Sequence, residues 1–229
     1  MHDLFHAVTN VERGFTHTMI KMTTSPGYVI KDFLDGKTRP YFFLARYAFI
    51  LVTISTLLMI KTGIFDMSQN AFYNQGEMSE NQRIATEQIQ HYIKQFLNFF
   101  VLIQLPFNTF VSWLLFKSRG YNFAEHFVAN TYIMGQLSLF GLLILPFFYL
   151  LPGEEFGMIN MGMSLAISAA FFSFTFKQWF NDPWGESIAR GVITSLFGQL
   201  LMIIGIFVIS MFIVMMVILC VIQVKQVTG

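Results

Sequence analysis

The sequence predicts an all-α integral membrane protein, with five transmembrane helices preceded by an amphipathic N-terminal helical region. Three observations carry that expectation. Hydrophobic residues make up 55% of the 229 and charged residues only 12%, about half the roughly 25% charged share of soluble domains. Five apolar runs approach or exceed the ~20 residues that cross about 30 Å of hydrocarbon. None of them alternates in polarity, as the roughly ten-residue strands of a membrane barrel would. The same composition excludes an ordinary soluble enzyme and a disordered chain. A formal net charge of only +1 removes the electrostatic basis of nucleic-acid binding. The single cysteine, Cys220, lies inside an apolar run, which excludes a disulfide framework and a multi-cysteine metal cluster.

In chain order, Leu4, Val8, Val11, Phe15, Met19 and Met22 recur at helical spacing, with Asp3, Glu12, Arg13 and Lys21 on the other faces. Such a helix either lies in the headgroup layer or turns its stripe onto the bundle. Ser25 followed by Pro26 reads as an N-cap and first helical residue, and the short helix over 28–35 stops at Gly36. Residues 1–41 thus form cytoplasmic amphipathic helices, and 42–222 form the transmembrane domain. Its spans are 42–60, 96–116 with Pro106, 127–151 with Pro146, 158–176, and 192–222, the last too long for one upright crossing. Between the first two spans, 61–95 is an external polar loop. Within it, 79–94 reads as a helix running into the second span, with Ile84, Ile89 and Ile93 on one stripe. Asp182 before Pro183 reads as the N-cap of a fifth helix that runs along the interface, anchored by Trp179 and Trp184, and enters the bilayer near Gly191.

Orientation follows from the basic residues in the flanks. Arg13, Lys21, Lys31, Lys37, Arg39, Lys117, Arg119, Lys177 and Arg190 fall on one side, against Lys61, Arg83, Lys94 and Lys225 on the other. The expectation is a bacterial inner-membrane protein with its N-terminus in the cytoplasm and its C-terminus outside. Met1 does not open a continuous apolar segment, so no cleavable signal peptide is expected.

Ionisable and polar groups in or beside spans are costly and each needs a reason. Arg46, about one turn into the first span, either snorkels to headgroups or pairs with a carboxylate, Glu125 being the first choice. By topology Arg39, Arg46, Lys117, Arg119, Glu125, His126, Asp182, Trp184 and Arg190 converge on one face as an ion-pair and headgroup layer. Gln104, Asn108 and Ser112 form a polar stripe on the second span. With Asn130, Gln136 and Gln199 they line a wet path or hydrogen-bond between helices. Gly162, Ala166, Ala169 and Ser173, and Gly191, Ser195, Gly198 and Gly205, are small-residue stripes of the kind that let membrane helices approach closely. Glu125 and His126 are adjacent, so they project about 100° apart on a helix and do not aim at one ion. His2 and His6 are spaced for a metal but lack a third ligand. No metal site, cofactor or catalytic constellation is expected.

Three elements of the chain resemble a known family. Residues 11–18 (Val-Glu-Arg-Gly-Phe-Thr-His-Thr), 25–41 (Ser-Pro-Gly through Gly-Lys-Thr-Arg-Pro-Tyr) and 118–128 (Ser-Arg-Gly-Tyr-Asn-Phe-Ala-Glu-His-Phe-Val) are similar to the bacterial membrane family named domain of unknown function 3667. Its arginine-glycine-phenylalanine, proline-glycine to glycine-lysine-arginine and tyrosine-x-x-glutamate-histidine elements correspond to Arg13–Phe15, Pro26–Arg39 and Tyr121–His126, the last with one inserted residue. Many members carry an N-terminal zinc ribbon, which a chain with one cysteine lacks. The resemblance implies the membrane class and brings no biochemistry with it. A more distant likeness, in architecture only, is to five-span Yip1-type proteins.

The leading functional expectation is a non-enzymatic subunit or scaffold of a membrane assembly, contacting lipids and a partner protein or a second copy of itself. The alternative is a small transporter or lipid-handling protein that uses the polar stripe. An intramembrane enzyme built on His126 ranks last, for want of a nucleophile.

Overall fold

The computed structural model describes residues 14–66, 79–150 and 156–228. Leu4, Val8 and Val11 of the N-terminal stripe, with His2, His6 and Arg13, lie outside the described residues, as do 67–78 of the first loop and 151 at the end of the third expected span. The described chain is helical, without strands. Its helices are α1 (14–24), α2 (Pro26–Leu34), α3 (Leu44–Lys61), α4 (Glu80–Gln95), α5 (Leu97–Leu115), α6 (Phe123–Ile144), α7 (Phe156–Phe180) and α8 (Trp184–Thr228). The segments Leu44–Lys61, Leu97–Leu115, Phe123–Phe147, Ile159–Phe180 and Trp184–Phe212 are long and apolar enough to cross a membrane.

Local chemistry explains where these helices begin and end. α4 starts at a capping box in which Gln82 Oε1 accepts from the Ser79 N–H at 3.0 Å. α6 starts four residues before the expected span for the same reason. The Asn122 side chain accepts from the Glu125 N–H at 2.9 Å, and Glu125 accepts from the Asn122 N–H at 2.6 Å. That Asn-x-x-Glu signal was readable in the sequence. α7 runs on to Phe180, and Asn181, in the left-handed region at φ 54°, turns the chain directly into α8. Asparagine tolerates that conformation better than most residues. α8 contains 45 residues, about 67 Å at 1.5 Å per residue, so it outreaches the ~30 Å hydrocarbon layer.

Helix α6 is the centre. Every residue from Ala129 to Gln136 is buried, because α6 meets α3, α5, α7 and α2 on different sides. An all-round apolar helix is stable only in such a position. α8 packs along both α7 and α5, whereas α6 and α7 touch sparingly. A gap is therefore left between α5, α6, α7 and α8. The continuous apolar core, with Met22, Ile30, Phe42, Tyr47, Phe116, Tyr132, Phe172 and Phe176, lies toward the end that carries α1 and α2. Outward side chains such as Phe49, Leu57, Phe99 and Phe207 are exposed, as a lipid-facing surface requires.

The described part of the N-terminal stripe, Phe15, Met19 and Met22, packs onto the bundle. Met22 is fully buried, and Phe15 packs edge-on against Phe42 at 5.4 Å. Polar bonds lock it there. Thr18 Oγ1 accepts from the Phe42 N–H at 2.7 Å, and Gln136 Nε2 donates to Thr23 Oγ1 at 2.7 Å. Ser25 makes no capping bond. Gln178 of α7 supplies the acceptor instead, taking the Gly27 N–H at 3.1 Å. Of the stripe on α4, Ile84 and Ile89 are exposed and Ile93 is half-buried.

Candidate functional site: an ion layer, an aromatic floor and a polar cavity

At the α1–α2 end, the turn after α5 meets the turn between α7 and α8. Asp182 is 4% exposed and accepts hydrogen bonds from both Arg119 and Arg190, the latter at 2.6 Å. Arg190 also reaches Glu186 at 3.3 Å. Its guanidinium lies 4.8 Å from the centre of the Phe116 ring, a cation–π geometry. Phe116 stacks on Phe180 at 3.8 Å, and Trp179 and His126 complete an aromatic floor above the ions.

Of the other residues expected in this layer, Arg39, Arg46 and Trp184 are exposed, and the Lys117 ammonium sits 5.3 Å over Trp113. The pairing of Arg46 with Glu125 suggested by the sequence is not formed. Glu125 is held by the cap of α6, and Arg46 lies off the inward face of α3 made by Tyr47, Ala48 and Leu51. Nor does Asp182 cap α8, since its carboxylate is turned to the two arginines.

His126 is fully buried, with Nδ1 3.2 Å from Ser112 Oγ. Asn130 Nδ2 donates to the same Ser112 Oγ at 2.9 Å and to the His126 carbonyl at 2.7 Å. A serine beside a histidine suggests a nucleophile with its base. Here Ser112 is fully buried, does not line the cavity described next, and has its oxygen engaged by Asn130, His126 and the Thr109 carbonyl. The arrangement is a structural linchpin between α5 and α6.

Beyond it opens a cavity of about 270 Å³. Its polar lining comes from all five spans: Ser55, Gln104, Asn108, Asn130, Ser138, Asn160, Ser164, Ser168 and Gln199. Met134, Leu137, Ile167 and Phe172 are among its apolar walls, and none of the described lining residues is charged. Four of the six expected path residues are therefore brought together here. The other two are not: Ser112 sits behind Asn130, and Gln136 accepts from Tyr47 OH at 2.5 Å on the opposite side of α6. The missed serines and Asn160 carried no sequence signal, because isolated small polar residues in spans read equally well as packing. On α5, α6 and α7 the lining residues lie toward the ends remote from α1 and α2.

The small-residue stripe of α8 meets its neighbours. A β-carbon at Gly191 would run into the Ser173 backbone, one at Gly198 into Asn108, and one at Gly205 into Phe107. Ser195 Oγ donates to Ser168 Oγ at 3.0 Å. On α7 only part of the stripe does so. Gly162 and Ala166 are exposed, with Ala169 half-buried and Ser173 buried. α7 meets α8 through Ser173 against Gly191 and Ser168 against Ser195, whereas a β-carbon at Gly162 would meet nothing within 4 Å.

Outside the spans, Asp32 accepts from Lys37 at 2.9 Å and from Tyr41 OH at 3.0 Å. The Lys37 ammonium holds the Asp32 carboxyl below its usual range, with burial opposing. Burial, then Asp32, pushes the Tyr41 phenol up to about 12. A depressed carboxyl stabilises the fold above its unfolded pKa, near 4, and loses that contribution as pH falls. A raised phenol stabilises the fold below about 10 and loses it as pH rises through about 12. Both effects are small for so exposed a pair. In an ultraviolet titration, Asp32→Asn is expected to lower the Tyr41 midpoint while burial keeps it above that of a free phenol; an unmoved midpoint would refute the coupling.

Among the described residues no group of three or more histidine, cysteine or acidic side chains is placed to hold a metal ion. A family model described as a protein of unknown function (DUF3667) matches residues 12–56. It takes in α1, α2 and most of α3, whereas Tyr121–His126 lies beyond it. No curated protein and no solved structure matches the chain.

Proposed function

We propose that this multi-pass membrane protein, whose residues 12–56 match the DUF3667 family model, takes a small polar molecule into the cavity between its spans. It then acts as a solute-handling protein of the transporter class. The observation that carries the reading is a cavity whose described lining holds nine polar and no charged residues, contributed by every span. Helix packing alone favours close contact through small or apolar groups, and a polar void inside hydrocarbon is costly unless something occupies it. About 270 Å³ is below the usual range for drug-sized ligands and too small for a lipid. With the basic flanks in the cytoplasm, the cavity lies nearer the opposite face.

The test is thiol labelling in proteoliposomes of the full chain carrying Ser138→Cys and Cys220→Ser. Ser138 lines the cavity and bonds only to the Met134 carbonyl of its own helix, so the change is mild. A membrane-impermeant maleimide is expected to label Cys at 138 from the face opposite the N-terminus. No labelling from either face would end the reading, and labelling only from the N-terminal face would reverse the orientation. The scaffold reading retains one supporting observation, the exposed apolar side chains of α8 at Ile203, Phe207, Met211, Phe212 and Met216. Stoichiometric co-purification of another membrane protein would favour it.

A further inference from the structure

We propose that the occupant of the cavity is a small uncharged molecule with an N–H or O–H donor, bound against Asn130 Oδ1. This rests on the reading of the cavity as an accessible chamber and adds the chemistry of what enters it.

The orientation of the Asn130 amide is set by its surroundings. One end faces the His126 carbonyl at 2.7 Å, an obligatory acceptor, and the same end faces Ser112 Oγ at 2.9 Å. Reversing the amide would bring two carbonyl oxygens together, so the end toward His126 is the NH₂ and the other is the oxygen. Asn130 is 2% exposed and lines the cavity, and Oδ1 has no partner among the described residues. A buried acceptor without a donor is costly. The complement to a carbonyl oxygen is an N–H or O–H.

Charge narrows the class. Among the described residues the lining carries no carboxylate, arginine, lysine or histidine. Asp182, Arg119 and Arg190 are occupied with one another beyond the aromatic floor. A cation or anion entering the cavity would shed its hydration without meeting a counter-charge. An uncharged donor meets hydrogen-bonding groups at Asn130, Gln104 and Gln199, with apolar contact from Phe172 and Met134. Primary amides and short polyols have this character.

The experiment uses the Ser138→Cys, Cys220→Ser chain in proteoliposomes and measures how far added solutes slow maleimide labelling. Acetamide is compared with N,N-dimethylacetamide, which keeps the carbonyl and loses both N–H donors, and with methylammonium, which keeps donors and adds charge. Acetamide is expected to protect, and the other two at least about fivefold less well, the effect of one lost hydrogen bond. Asn130→Leu is expected to abolish the difference. Should that variant not fold, the solute series on the parent still decides. Equal protection by acetamide and its dimethyl analogue overturns the donor assignment. Equal protection by methylammonium overturns the requirement for neutrality. Labelling that no solute slows means the cavity holds water only, and overturns this inference while the accessible chamber stands. Failure to label at all removes the chamber itself.

Discussion

Replacing Asp182 by alanine is expected to destabilise the protein by about 3 kcal/mol, the lower end of the cost of breaking a buried ion pair. For a chain of this size that corresponds to a fall in Tm of roughly 6–12 °C. Asp182 is buried and faces two arginines that are themselves only partly exposed. Without it, Arg119 and Arg190 confront each other at the bundle end, with Glu186 as the one carboxylate in reach among the described residues. The low end applies because both guanidiniums can still reach solvent. The arginine on Phe116 would be displaced as well, so the aromatic floor is expected to loosen with it. Thermal unfolding in detergent, followed by tryptophan fluorescence, is the measurement, since Trp179 is part of that floor. Glu125→Gln is the comparison. Its carboxylate serves a helix cap, for which losses are typically about 1 kcal/mol. If Asp182→Ala melts with the parent, or Glu125→Gln is the more damaging, the ion layer is wrongly assigned.

The second large effect is expected at Gly27. A β-carbon there would run into the Trp179 N, the Thr175 carbonyl oxygen and Gln178 Cβ. Two of these are backbone atoms and cannot swing aside. Overpacking of this kind costs about 1–3 kcal/mol and sometimes more, and α2 would also be pushed off the Gln178 acceptor that satisfies its first turn. Gly27→Ala is therefore expected to cost about 3 kcal/mol and to expose α2 to limited proteolysis ahead of the remainder. Gly191→Ala, against the Ser173 backbone, should be similar. Gly162→Ala, which meets nothing within 4 Å, should be neutral or slightly stabilising, as alanine is the better helix former. Equal behaviour of all three would contradict the packing described.

Gly191 and Gly27 show what one dimension conveys. Gly191 was visible because Ser195, Gly198 and Gly205 accompany it along one helix, and a stripe of small residues has a helical period. Gly27 has no such company. Its constraint comes from α7, about 150 positions later, and appears only when the two helices touch. His126 and Ser112 differ in the same way. Each was recognised as a polar group within or beside a span, yet nothing in their spacing placed the imidazole on that hydroxyl.

The sequence by itself determined the helical membrane class, the five spans and most helix ends, because hydropathy, caps and breakers act over one or two turns. It also marked which polar residues needed an explanation. Tertiary structure alone decided partners and occupancy: Asp182 with two arginines in place of a cap, Glu125 in a cap in place of an ion pair, and Gln136 bound to Tyr47 away from the path. It also decided that α6 and α7 diverge enough to leave a chamber. The reason is physical. A side chain's periodicity says which way it faces on its own helix, whereas what it meets depends on crossings set by distant residues such as Gly27, Gly191 and Gly198, and those crossings exist only once the helices have packed.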